Sequence, residues 1–149
     1  MKIRKLTVLA VACLAWMNAH ADISVQDDLG QTITLAQPAR RIVSLAPHAT
    51  EMLFAAGAGD YLVGTVAYSD YPEAAKRIPR VGGYTSLDLE AVVGLRPDLI
   101  VAWKSGNAAH QLEKLRVLGY AVYVTEPRNI DDVPSDIERL GLLAGTGTA

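Results

Sequence analysis

Cysteine is nearly absent. Cys13 is the only one in 149 residues, so no disulfide can form within the chain and stability has to come from a hydrophobic core. Concentrated charge is missing too: there is no basic run or stripe and the formal net charge is −2, which excludes a nucleic-acid-coating protein. Histidine is scarce, and His20, His48 and His110 are too scattered for a zinc cluster. The chain has no G-x-S-x-G elbow, no G-x-G-x-x-G after a strand, no phosphate-binding G-x-x-x-x-G-K-[ST] loop and no H-E-x-x-H. Ser44, His48 and Asp70 could be imagined as a triad, but no strained nucleophile turn supports it. What the chain does have is apolar residues, half of its length, which with low net charge suits one globular α/β domain.

The first residues form a separate unit. Lys2, Arg4 and Lys5 precede an apolar run from Leu6 to Met17, and Ala19-His20-Ala21 places small residues where a signal peptidase reads them. Residues 1–21 therefore read as a secretory signal peptide cut before Asp22, too short for a membrane span with these flanks. Lipidation at Cys13, which follows Ala12, is the alternative; it would shorten the apolar run to about seven residues and put Ala10 where leucine is usual. Cleavage before Asp22 removes three of the 14 Lys+Arg and none of the 16 Asp+Glu, leaving a charge of −5. An acidic exported domain is no candidate for adsorption to anionic lipid or DNA.

Beyond residue 22, Ile23-Ser-Val-Gln26 and Thr32-Ile-Thr-Leu35 alternate around Asp27-Asp-Leu-Gly30 and predict a hairpin, with Asp27 and Asp28 as a turn pair. Arg41–Leu45 predicts the first buried strand. A helix opens at His48 with Glu51 as the acid of its first turn and Gly57 past its end. Tyr61–Thr65 is the second strand, followed by Tyr68-Ser-Asp-Tyr-Pro72, a short basic helix from Glu73 to Arg77, and a flexible loop around Tyr84. Ser86 or Asp88 can cap a helix that runs to Leu95, which Pro97 forbids from continuing. Asp98–Trp103 is continuously apolar, as a strand buried on both faces requires. Leu112, Leu115 and Leu118 mark the buried stripe of the next helix, which ends at Gly119. Ala121–Thr125 is another buried strand, and a helix follows from about Asp132 to Ala144.

The order βαβ(α)αβαβα, with crossovers long enough for parallel pairing, places segments 46–48, 66–71, 103–107 and 125–128 on one edge of a parallel sheet with helices on its faces. In open α/β sheets the carboxyl edge of the strands is where ligands bind. It would gather His48, Tyr68, Tyr71, Trp103, Asn107 and Arg128, with Tyr84 nearby. Several aromatic rings among a few hydrogen-bonding groups suit a large, flat, partly apolar ligand. Other readings stay open: Trp103 could cap the core edge above an ordinary Ser105-Gly106-Asn107 turn, and His48 could be a polar residue in an exposed first turn or a ligand to a haem or corrin metal.

From Arg41 to about Gly141 the chain resembles the periplasmic substrate-binding proteins of ABC importers for cobalamin, siderophores and haem. The resemblance lies in Arg41-Ile-Val-Ser-Leu-Ala-Pro47 with Thr50-Glu51, in Tyr68-Ser-Asp-Tyr-Pro72, in Leu89-Glu90 with Pro97-Asp-Leu99, and in Ala102-Trp103 with Gly106-Asn107. The first motif belongs to the wider class; the Tyr68 motif and the Ala-Trp with Gly-Asn combination are similar to the cobalamin branch. The resemblance implies a Rossmann-like lobe, with Tyr68 and Trp103 touching a corrin. Tyr84 stands where that branch carries a tryptophan, Ser105 where it carries a glycine, and His48 where small or amide residues are usual, which keeps a haem-type ligand open. Glu90 falls on the glutamate through which the amino-terminal lobe docks onto permease arginines, a contact a carboxylate can make bidentately.

Such proteins clamp their ligand between two lobes joined by a long helix, the helical-backbone class of periplasmic binding proteins. A second lobe would need roughly another hundred residues. Residues 22–149 are therefore expected to form the amino-terminal lobe alone. The expectation is a monomeric, non-enzymatic binding component of an ABC importer, with ligand contacts from Tyr68, Trp103, Tyr84, Asn107 and His48, and with cobalamin as cargo and no resident cofactor or metal. A haem or ferric-siderophore binder of the same family is the first alternative, although siderophores would call for cations at the mouth, where only Arg128 and Lys104 are obvious. An exported α/β enzyme is the second, and it would need a buried acid-base pair at the strand ends.

Overall fold

The alternation in the first two segments produces a two-stranded antiparallel hairpin in the computed structural model, which describes residues 21–147. Its strands are β1 (Ile23–Gln26) and β2 (Thr32–Leu35), and the turn between them closes on Gly30, whose φ of +75° a side chain would resist. The signal-peptide reading and Cys13 lie outside the described residues.

The apolar runs then build a parallel sheet. β3 (Ile42–Ser44), β4 (Leu62–Gly64), β5 (Leu99–Trp103) and β6 (Val122–Thr125) assemble in the order β4-β3-β5-β6, every pairing parallel. β3, β6 and residues 99–102 of β5 are buried throughout, because both faces are covered. Alternation along each strand sends one set of side chains to each side. Ile42, Leu99, Val101 and Tyr123 meet helices α1 (Pro47–Ala55) and α4 (Asp132–Ala144), while Val43, Ile100, Val122 and Val124 meet α2 (Leu89–Gly94) and α3 (Ala109–Val117). The result is an α/β, Rossmann-like layer structure preceded by the hairpin.

Three expectations change at this level. Helix α1 starts one residue earlier than read, with Pro47 in its first turn, so Glu51 falls into the second turn and no acid stands in the first. Tyr61 belongs to a 3-10 turn, Gly59–Tyr61, and not to β4. Leu118, spaced with Leu112 and Leu115, is 55% exposed: α3 ends at Val117, and the chain turns away before the third leucine can reach the core. Of the two capping candidates for α2, Asp88 is the one used; its carboxylate accepts from Ala91 N at 3.0 Å.

Candidate functional site

The strand order places the site. From β3 the chain crosses α1 outward to β4, and β5 and β6 lie on the other side of β3, so the sheet reverses its direction of growth between β3 and β5. At such a point the loops leaving adjacent strands diverge and open a crevice at their carboxyl ends. The loop after β3 brings His48 there, and β5 brings Trp103. Their rings meet edge to face at 5.2 Å between centroids, and Tyr84 lies tilted against Trp103 at 6.0 Å. The loop leaving β4, on the same edge, presents Tyr68 and Tyr71, 76% and 70% exposed.

Much of the construction serves to aim these rings. Tyr68 holds φ at +67°, a left-handed conformation that costs a bulky residue energy and persists only where its neighbours enforce it. The enforcement is visible on both sides of the tyrosine. Thr50 Oγ1, buried in α1, lies 2.9 Å from Ser44 Oγ at the end of β3 and 3.1 Å from Ser69 Oγ in the Tyr68 loop. The Arg80 guanidinium donates to Ser69 O at 2.9 Å and to the Asp70 carboxylate at 3.0 Å, and also reaches the Thr65 hydroxyl. The Ser44–Thr50–Ser69 cluster was not apparent from the sequence, because a lone hydroxyl residue at a strand end reads as an ordinary local cap.

Asn107 is corrected by its surroundings. Expected at the ligand, it is buried, and its amide is committed to the backbone: Oδ1 accepts from Trp103 N at 2.7 Å, and Nδ2 donates to Leu45 O at 2.9 Å and Tyr84 O at 2.7 Å. It ties the ends of β3 and β5 to the Tyr84 loop and so positions the two rings instead of presenting itself. Gly106 acts on the indole from below. A Cβ built there would fall 1.9 Å from the Trp103 ring, so only glycine lets the loop lie flat against it. Gly106→Ala is therefore expected to shift the Trp103 emission maximum and weaken ligand binding about tenfold while changing no ligand contact directly; fluorescence with a parallel titration checks it.

His48 is half-buried and not a polar residue in an exposed first turn. Burial lowers its pKa, opposed in part by the charges of Asp136, Glu51 and Glu126, so the imidazole is neutral at neutral pH, and its Nε2 is buried without a hydrogen-bond partner. On the same edge, just after β6, Glu126 accepts from Ser105 N at 3.0 Å and from the Ser105 hydroxyl, and that hydroxyl bond holds its carboxyl below the usual range. Lys104 and Arg128 are exposed on the same edge. Glu90 stands apart from the aromatic group, exposed in the first turn of α2, and among the described residues its carboxylate makes no ion pair or hydrogen bond. Also among the described residues, no group of three or more His, Cys, Asp and Glu is placed to hold a metal ion, and no helix is long and apolar enough to cross a membrane.

Residues 42–148 match the family model described as periplasmic binding protein. The chain is 47% identical over 105 residues to the vitamin B12-binding protein of Vibrio vulnificus strain CMCP6, covering 70% of this chain and 38% of the relative. It is 44% identical over 105 residues to the vitamin B12-binding protein of Yersinia pestis strain Pestoides F, with the same coverage of 70% and 38%. Among solved structures it is similar to the periplasmic vitamin B12-binding protein BtuF of Vibrio cholerae, with a TM-score of 0.70 and 45% identity over 72% of this chain and 42% of that one. It is also similar to the heme-binding protein HmuT, with a TM-score of 0.71 and 25% identity over 85% of this chain and 42% of that one. The matches thus span only about two fifths of the length of these relatives.

Proposed function

The chain belongs to the periplasmic binding protein family, and from that premise we propose that it captures a corrinoid, cobalamin, in the periplasm and delivers it to the permease of an ABC importer, without chemistry. The observation that carries this reading is the aromatic wall at the point where the sheet reverses: Trp103 flanked by His48 and Tyr84, with Tyr68 and Tyr71 on the adjoining loop. Rings set at angles to one another offer a broad, rigid, weakly polar face, and a macrocycle with amide-bearing edges matches it better than a small polar metabolite does. The vitamin B12-binding relatives at 44–47% identity support the same ligand. The ligand is cargo, not a cofactor. In this reading residues 1–21 are the export signal and residues 22–149 form an amino-terminal lobe that closes on the ligand against a second lobe; the protein acts as a monomer.

A haem reading is favoured by one feature, the neutral imidazole of His48 at the crevice, together with the likeness to HmuT. Titration with cyanocobalamin, haemin and a ferric hydroxamate separates the cases. Quenching of Trp103, the only tryptophan after residue 21, is expected with cyanocobalamin at the lowest concentration. A flat cobalamin titration beside a saturating haemin one would overturn the assignment.

Glu90 supplies the docking contact in this proposal. An exposed carboxylate, unpaired among the described residues, can accept two parallel hydrogen bonds from a guanidinium, which fixes orientation as well as adding energy. Glu90→Ala is expected to leave cobalamin affinity unchanged and to reduce uptake in reconstituted importer vesicles about tenfold. A loss of ligand affinity would place Glu90 in the cleft instead.

A further inference from the structure

Next to the aromatic wall lies a cavity that extends away from Trp103. It has a volume of about 440 Å3 and runs between α1 and α4, opening on the same sheet edge, with Tyr71 and His48 at the side shared with the crevice. Met52 and Ala55 line it from α1, Val133 and Ile137 from α4, and the exposed carboxylate of Glu51 is its one charged group. The size falls within the roughly 300–1,000 Å3 of small-molecule sites. It is ample for one heteroaromatic base and too small for a second macrocycle.

We infer that this cavity is a side pocket for a nucleoside carried on the upper axial position of the corrinoid, so that the protein prefers adenosylcobalamin over cobalamins with a small axial group. The inference rests on the corrinoid reading and extends it. Three features select this occupant. First, the pocket adjoins the wall: His48 packs nearly perpendicular to Trp103 and also lines the pocket, so one side chain joins the two and a group projecting from a ring seated on Trp103 would meet the pocket at the imidazole. Second, the walls are apolar side chains with a neutral imidazole among them, the environment in which a purine gains by burial. Third, the single charge is negative. A carboxylate accepts hydrogen bonds from ribose hydroxyls, whereas it would repel the phosphate of the corrinoid's lower nucleotide loop. Adenosine on cobalt has the hydroxyls and no phosphate.

The test compares adenosylcobalamin with methylcobalamin, both bound through a cobalt–carbon bond, by calorimetric titration of the full chain in the dark. The adenosyl form is expected to bind at least about tenfold more tightly, the scale of one well-stacked base. Ala55→Phe, which fills the pocket from an exposed helical position, is expected to leave methylcobalamin affinity unchanged and abolish the preference; Glu51→Ala is expected to reduce it without changing methylcobalamin binding. Equal affinity for the two cobalamins in the unaltered chain would overturn the inference while leaving the corrinoid reading standing. An equal loss of both in Ala55→Phe, with the fold intact by circular dichroism, would also overturn it. Failure of both cobalamins to bind the unaltered chain would overturn the corrinoid reading and this inference together.

Discussion

Arg139→Ala is expected to destabilise the fold by about 3 kcal/mol at neutral pH, because it strips the counterion from a carboxylate with no access to water. Asp136 is fully buried in α4. It accepts from the Tyr123 hydroxyl at 2.5 Å, the Thr125 hydroxyl at 2.8 Å and the Arg139 guanidinium at 2.6 Å. Arg139 also donates to the Asp28 carboxylate at 2.6 Å and to Gln26 O at 2.9 Å, while Asp28 accepts from Glu126 N at 2.6 Å. One guanidinium thus joins the hairpin, the end of β6 and α4.

The pH dependence of that loss has a definite sign. Burial raises the Asp136 carboxyl above its ordinary value, against the hydrogen bonds and the Arg139 charge that lower it. Without Arg139 the carboxyl rises further, so the folded variant binds its proton more tightly than the unfolded chain does. Wherever the folded state holds more protons, stability falls as pH rises. The deficit of Arg139→Ala is therefore expected to be largest near pH 7 and to shrink toward about pH 5 as the buried acid is neutralised. Urea denaturation at the two pH values measures it. Replacing both partners, Asp136→Asn with Arg139→Met, is expected to cost less than Arg139→Ala alone, since no uncompensated charge remains. A deficit independent of pH would mean that the guanidinium contributes packing and not charge.

This network also marks a boundary of what the sequence discloses. Continuous apolar runs at Asp98–Trp103 and Ala121–Thr125, turn residues between them, Gly57 and Gly119 after two of the helices and Pro97 after a third were enough to read a parallel sheet and to place its loops on one edge. That reading put His48 and Trp103 on one edge with Tyr84 nearby; in the structure His48 and Tyr84 each pack against Trp103, a grouping that no spacing along the chain would suggest. It failed where a side chain's partner lies far away in sequence. Asp27 and Asp28 read as a turn pair, and Asp27 does close the turn, accepting from Leu29 N at 2.9 Å and Gln31 N at 2.8 Å. Nothing in the turn announces that Asp28 reaches Arg139, 111 residues on. Asn107 failed for the same reason: an amide beside an aromatic at a strand end looks like a ligand contact until Leu45 O and Tyr84 O are seen to occupy it. Leu118 failed differently, because a period of three continues in the sequence after the helix has ended.

The second large effect belongs to Trp103. Trp103→Ala is expected to weaken cobalamin binding by at least about thirtyfold, some 2 kcal/mol or more, the loss typical of an aromatic anchor at the centre of an interface. The indole is placed to carry that much. It stands at the end of β5, where the sheet reverses, and it is packed against by His48, Tyr84 and Gly106, so little rotamer freedom remains to be lost on binding. Because the ring also packs partly against the α1 side of the core, truncation should cost some stability, and the binding loss has to be separated from it. Trp103→Phe separates them. It keeps an aromatic face at the same place and is expected to recover most of the affinity, within about tenfold of the unaltered chain, although it too leaves a void beside the core. Calorimetry is the appropriate measurement, since both variants remove the fluorophore. Equal and small losses in the two variants would move the ligand away from Trp103 and toward Tyr68 and Tyr71. If Trp103→Phe binds as poorly as Trp103→Ala while remaining folded, the larger indole contributes shape that a phenyl ring cannot replace.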